Sequence, residues 1–207
     1  MLFRLTALAA LAATATASNA TGPYALQITG KENADINGYA GACHSGAGIE
    51  ALCYASGASL PPSVTQFYYN YTSYNTETGV PSQPGWITYL LTAGSTNGTI
   101  TVPSAMQLDQ SGWGTNVLTA QIFPGVESGT SVYQFENGTL YMYGGYDDSS
   151  FNATFPTPIP TLGNLTNFHL CYQFTGGYYY RSIAWVTTPP AHNPSCEPVD
   201  LTLVELS

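Results

Sequence analysis

Val132-Tyr-Gln-Phe-Glu-Asn137-Gly138-Thr-Leu-Tyr-Met142 reads as two short strands around a two-residue turn. Asn-Gly is the strongest short-range signal for a type I′ turn, whose two central residues both need positive φ and whose twist matches that of the flanking strands. Moving outward, the same grammar recurs. A second hairpin turns at Gly176-Gly177, between the strand that holds Cys171 and the strand that holds Trp185. Runs rich in Tyr, Phe, Thr, Val and Ile, punctuated by Gly, Pro, Ser and Asn, predict strands at 24–29, 65–71, 86–91, 99–102, 116–123, 131–136, 139–143, 168–174, 178–186 and 199–205. Helix signals are weak, and Gly46–Tyr54 alone is read as a short helical turn, tied by the cysteines at its flanks.

Strands at such short spacing imply an all-β fold: one antiparallel β-sandwich or jelly-roll-like domain with at most one short helix. Phe155-Pro156-Thr-Pro158-Ile-Pro160 is too short for an interdomain linker and reads as an extended crossover loop within that domain. The high apolar and aromatic content excludes a disordered acidic chain.

The N-terminus reads as a secretory signal. Arg4 supplies the positive charge, Leu5–Ala13 the apolar run, and Ala15-Thr16-Ala17 the small residues before a cleavage site, so residues 1–17 are assigned to the leader and 18–207 to the mature domain. The apolar run is shorter than the roughly 20 residues that span a bilayer, which argues against membrane insertion. Behind this leader stand six N-x-Ser/Thr acceptors, at Asn19, Asn70, Asn97, Asn137, Asn152 and Asn164. That density predicts an N-glycosylated protein that is secreted, extracellular or in the cell wall. Without the leader, Lys31 and Arg181 are the remaining cations against twelve carboxylates, so nucleic acid is a poor partner.

Cys43, Cys53, Cys171 and Cys196 are an even set in a chain bound for an oxidising compartment. Three connectivities are open, and local spacing favours Cys43–Cys53 with Cys171–Cys196. The spacing is unlike that of zinc modules, and no cofactor or metal is expected.

Candidate active groups each have a plainer reading. Asp147-Asp148, beside Ser149-Ser150 after a Gly-Gly bend, are an acidic loop at a strand end; the sharper alternative is a sugar-hydroxyl acceptor or a calcium ligand group. Glycoside hydrolysis would need two carboxylates about 5–9 Å apart, for which Glu50, Asp109, Glu136, Asp147 and Asp148 are raw material that no spacing pairs. There is no G-x-S-x-G, and His44, His169 and His192 stand in no triad context. Tyr68-Tyr69, Tyr71, Trp86, Tyr141, Tyr143, Tyr146, Tyr178-Tyr179-Tyr180 and Trp185 are enough to build a stacking surface for sugar, although in any strand one half of such a run must face the core. Trp113, flanked by Gly112 and Gly114, has the least strand duty and is the single best ligand-binding candidate.

Ile36-Asn37-Gly38, then Ala42-Cys43-His44-Ser-Gly46-Ala47-Gly-Ile49-Glu50-Ala-Leu52-Cys53, then Gly145-Tyr146-Asp147-Asp148, Ala184-Trp185-Val186 and Asn193-Pro194-Ser195-Cys196 resemble, in order, the signature of a family of small secreted proteins of filamentous, ascomycete-type fungi. The pattern departs from that family at Thr187-Thr188-Pro189-Pro190, where the family has a Gly-containing loop. The resemblance implies a secreted fungal protein and no particular chemistry. With no catalytic motif, scattered carboxylates and aromatics enough for stacking, the expected function is non-enzymatic, wall-associated or host-facing contact with a polysaccharide or glycoprotein surface; the alternatives are a carbohydrate-active enzyme with paired carboxylates, and a purely structural wall or spore-coat component.

Overall fold

The computed structural model describes residues 19–57, 59, 65–71, 84–95, 98–110, 112, 114–126, 128–144, 151, 153–154 and 164–207. Over these residues the chain forms β1 (Asn19–Gly30), β2 (Asn37–Gly46), β3 (Ile49–Ser56), β4 (Phe67–Tyr71), β5 (Gly85–Ser95), β6 (Gly98–Asp109), β7 (Val117–Pro124), β8 (Tyr133–Glu136), β9 (Thr139–Met142), β10 (Phe168–Thr175), β11 (Tyr178–Val186) and β12 (Glu197–Glu205), with no helix among the described residues. The expected all-β, antiparallel, sandwich-like architecture is present. Residues 1–17, expected to be a leader, and the proline-rich stretch at 155–160 lie outside the described residues.

The ladder curls back on itself instead of ending in two open edges. One ring runs β1–β2–β3–β7–β6–β5–β4 and returns to β1. A second runs β1–β12–β10–β11–β3–β2 and shares three strands with the first. Strand β1 can serve both rings because its first half pairs with β4 and its second with β2 and β12, with the register shifting between Thr21 and Tyr24. Closure buries one core between the walls, where Leu26, Ile28, Leu52, Phe67, Ile87, Met106, Ile122, Leu170, Ile183 and Leu201 are all fully enclosed. A smaller cluster of Val117, Cys171, Ala184 and Val186 sits apart, with Ala191 and Cys196 packed on it.

The Asn137-Gly138 turn has the expected geometry, with φ of 51° and 82°. One expectation fails. Gly46–Tyr54 is not a helical turn: β2 and β3 form a hairpin with its tip at Ala47-Gly48, in register from Gly38↔Ser56 to His44↔Glu50 and shifted by a bulge before Gly46↔Ile49. Strand β2 carries Gly38, Ala40, Gly41 and Ala42, small residues without β propensity of their own. Its extended form comes from the ladder with β3 along its length and with β1 at Asn37–Tyr39, a tertiary effect that local composition does not encode. The disulfides join Cys43 to Cys53 across this hairpin and Cys171 to Cys196 between β10 and the start of β12. In the loop-entropy model such closures stabilise by roughly 3 and 3.5 kcal/mol.

Candidate functional site

The β10–β11 hairpin reverses its polarity along its length. Its direct cross-strand pairs are Phe168↔Trp185, Leu170↔Ile183, Tyr172↔Arg181 and Phe174↔Tyr179 on one face. Cys171↔Ser182, Gln173↔Tyr180 and Thr175↔Tyr178 occupy the other. At the base of the hairpin the first face is core, and Phe168, Trp185, Leu170 and Ile183 are buried. Past Leu170 the same face runs out into solvent, with Tyr172 46% exposed, Phe174 69% and Tyr179 67%. On the opposite face at that level, Gln173 and Thr175 are buried. Along β10, aromatics are outside and polar groups inside, the reverse of ordinary burial, while β11 adds Tyr180 and the 42% exposed Tyr178 to the inner face.

A neutral hydrogen-bond network on the inner face explains how burial of polar groups is tolerated. Gln173 Oε1 accepts from Thr119 Oγ1 at 2.5 Å, and its Nε2 donates to the Ser182 hydroxyl at 2.9 Å and to the Ile183 carbonyl at 3.2 Å. Gln121 Nε2 donates to Thr175 Oγ1, and Thr175 Oγ1 lies 3.2 Å from Ser45 Oγ. Tyr180 donates its hydroxyl to the His44 carbonyl at 2.7 Å, while the His44 ring meets the Tyr178 ring edge-on at 5.4 Å. Every amide and hydroxyl in this set has a partner, so the face carries no charge and little desolvation cost.

The outer face is organised. The Tyr172 and Tyr179 rings stack at 5.7 Å and 11°. The Arg181 guanidinium lies 5.1 Å from the Tyr54 ring centre and 5.9 Å from that of Tyr172, and pairs with Glu197 at 2.9 Å. Glu197 also accepts from Asn33 Nδ2 at 2.6 Å. On the outer edge of β10, Asn193 Nδ2 donates to the Tyr172 carbonyl and Ser195 Oγ accepts from the Tyr172 amide. The loop before Cys196 thus continues the sheet past the point where β12 stops pairing, which holds Tyr172 in place.

Trp113, Asp147, Asp148, Tyr146, Asn97 and Asn152 lie outside the described residues. Among the aromatic candidates, Tyr69, Tyr71 and Trp185 are core, Trp86 donates its indole N–H to the Gly129 carbonyl, and Tyr179 faces solvent. Asn19, Asn137 and Asn164 are exposed, whereas Asn70 is 6% exposed. Glu50 lies directly across from His44; burial raises its carboxyl above the usual range, against a smaller lowering by His44. Among the described residues no three of His, Cys, Asp or Glu converge on a point. A groove of about 420 Å³ beside Leu118, Met142, Tyr143, Asn167 and Trp185 is uncharged.

Sequence reasoning missed Tyr172, Phe174, Arg181 and Glu197. The signal was the alternation Tyr172-Gln-Phe174-Thr, which shows that aromatics share a face but not which face the fold buries. No family model matches this chain, and neither a curated protein nor a solved structure does.

Proposed function

We propose that this is a secreted, N-glycosylated extracellular protein of fungal type, wall-associated or host-facing, that uses the outer face of β10–β11 to contact neutral polysaccharide without turnover. The observation that carries the reading is the exposure of Tyr172, Phe174 and Tyr179 on a hairpin whose opposite face is locked by hydrogen bonds. Covering an aromatic ring releases about 1.5–3 kcal/mol, and rings fixed in advance lose little entropy on binding. Sugars offer C–H faces to such rings and hydroxyls to the Arg181–Glu197–Asn33 group. Without the leader, two cations against twelve carboxylates give a formal charge of −10, which disfavours acidic glycans. The two disulfides fit an oxidising compartment, and no helix among the described residues is long and apolar enough to cross a membrane.

The exposed row favours binding over a purely structural wall component, and Glu197 is held in place by Arg181 and Asn33. The test is pull-down and reducing-sugar release on chitin, β-glucan and mannan, with Phe174→Ala/Tyr179→Ala beside wild type. Retention of wild type, loss with the double variant and no released sugar are expected. Turnover by wild type would overturn the reading in favour of an enzyme.

A further inference from the structure

The outer face of β1, β4, β5 and β6, opposite the core, holds a shallow groove of about 240 Å³ whose wall includes Ala20, Tyr68, Asn70, Thr88, Leu90 and Pro103. Its members are neighbours in the ladder: Ala20↔Asn70, Tyr68↔Thr88 and Leu90↔Pro103. The wall is mainly apolar, and Leu90 is 47% exposed there. Strand β4 sends Phe67, Tyr69 and Tyr71 into the core, so Asn70 belongs to the outer face; yet it is only 6% exposed, and the groove is where it meets solvent. Asn70-Tyr71-Thr72 is an N-glycosylation acceptor.

We infer that Asn70 carries an N-glycan whose first N-acetylhexosamine lies in this groove and covers Tyr68, Leu90 and Pro103 as an integral part of the folded wall. This rests on the secretory reading above. In the transfer, Asn70 Nδ2 loses one proton and bonds to the anomeric carbon of a lipid-linked oligosaccharide donor, whose anomeric C–O bond to diphosphate breaks, leaving lipid diphosphate. The host transferase does this while the chain is extended, so burial in the native sheet does not block it. Once the sheet closes, the linkage confines the first sugar to the groove. There its acetyl methyl and ring C–H groups meet Tyr68 and Leu90, and Thr88 offers a hydroxyl. An apolar outer groove with an acceptor amide in its wall is explained by this occupant, where an ordinary exposed acceptor such as Asn137 needs none.

The test uses full-length protein secreted from a eukaryotic host that makes high-mannose glycans. Glycopeptide mass spectrometry of wild type should find both Asn70 and Asn137 modified. Asn70 bare beside modified Asn137 overturns the inference alone; both bare overturns the secretory reading as well, and neither result depends on a variant folding. Endoglycosidase H, which leaves one sugar per site, should leave Tm unchanged. Thr72→Ala, which removes the acceptor but keeps Asn70, should lower Tm by about 3–6 °C and raise binding of an apolar dye, while Asn137→Gln changes neither. Thr72→Ala melting with wild type would overturn the groove as the sugar's seat.

Discussion

A Cβ placed on Gly176 would lie 1.3 Å from the carbonyl oxygen of Ser45. The tip of the β10–β11 hairpin therefore rests directly on the backbone of β2, with Gly176 at φ 59° and Gly177 at φ 90°. That contact aims the aromatic face. Gly176→Ala must push the tip off β2 and open the network of Gln121, Thr175 and Ser45. A loss of about 2–4 kcal/mol in stability is expected, together with weaker polysaccharide retention, measured by urea unfolding and pull-down on the same preparations.

Phe174 and Tyr179 should behave in the opposite way. Because each is about two-thirds exposed, Phe174→Ala/Tyr179→Ala should change stability by less than about 1 kcal/mol while lowering polysaccharide affinity at least tenfold. An equal fall in both quantities would show that these rings support the fold and are not a binding face.

The inner network makes a separate demand. Gln173 bonds Thr119, Ser182 and Ile183 at once, so Gln173→Leu removes all three of these buried hydrogen bonds together. Roughly 2–4 kcal/mol of stability should be lost, against a much smaller loss for Tyr172→Ala. Thermal melts of the two variants side by side decide it.

Glu50 sets a pH dependence. Burial raises its folded-state pKa above the unfolded value, so the carboxyl favours folding when protonated. That contribution is fully present below about pH 4.5 and is lost as pH rises through the folded pKa. Glu50→Gln should flatten this part of the stability profile, raising stability at neutral pH relative to wild type and leaving it nearly unchanged in acid. A variant with the same slope as wild type would assign the slope elsewhere.

Local sequence determined the strands and their turns wherever chemistry is local. Asn137-Gly138 can take positive φ at low cost, so the β8–β9 hairpin was legible from two residues. Runs rich in Tyr, Phe, Thr, Val and Ile placed most other strands, and the spacing of the cysteines indicated the pairing that the structure contains. What remained hidden depends on long-range pairing. The small residues of β2 extend because β3 pairs with them along the strand and β1 at its start, and pairing with β3 likewise makes the residues around Cys43–Cys53 a hairpin instead of a helical turn. Period-two alternation puts Tyr172 and Phe174 on one face and Gln173 and Thr175 on the other, but it is symmetric between inside and outside. Only the closure of two rings on shared strands, which buries the polar face of this hairpin against β2 and β7 and carries its aromatic face beyond the core, decides that the tyrosines meet solvent.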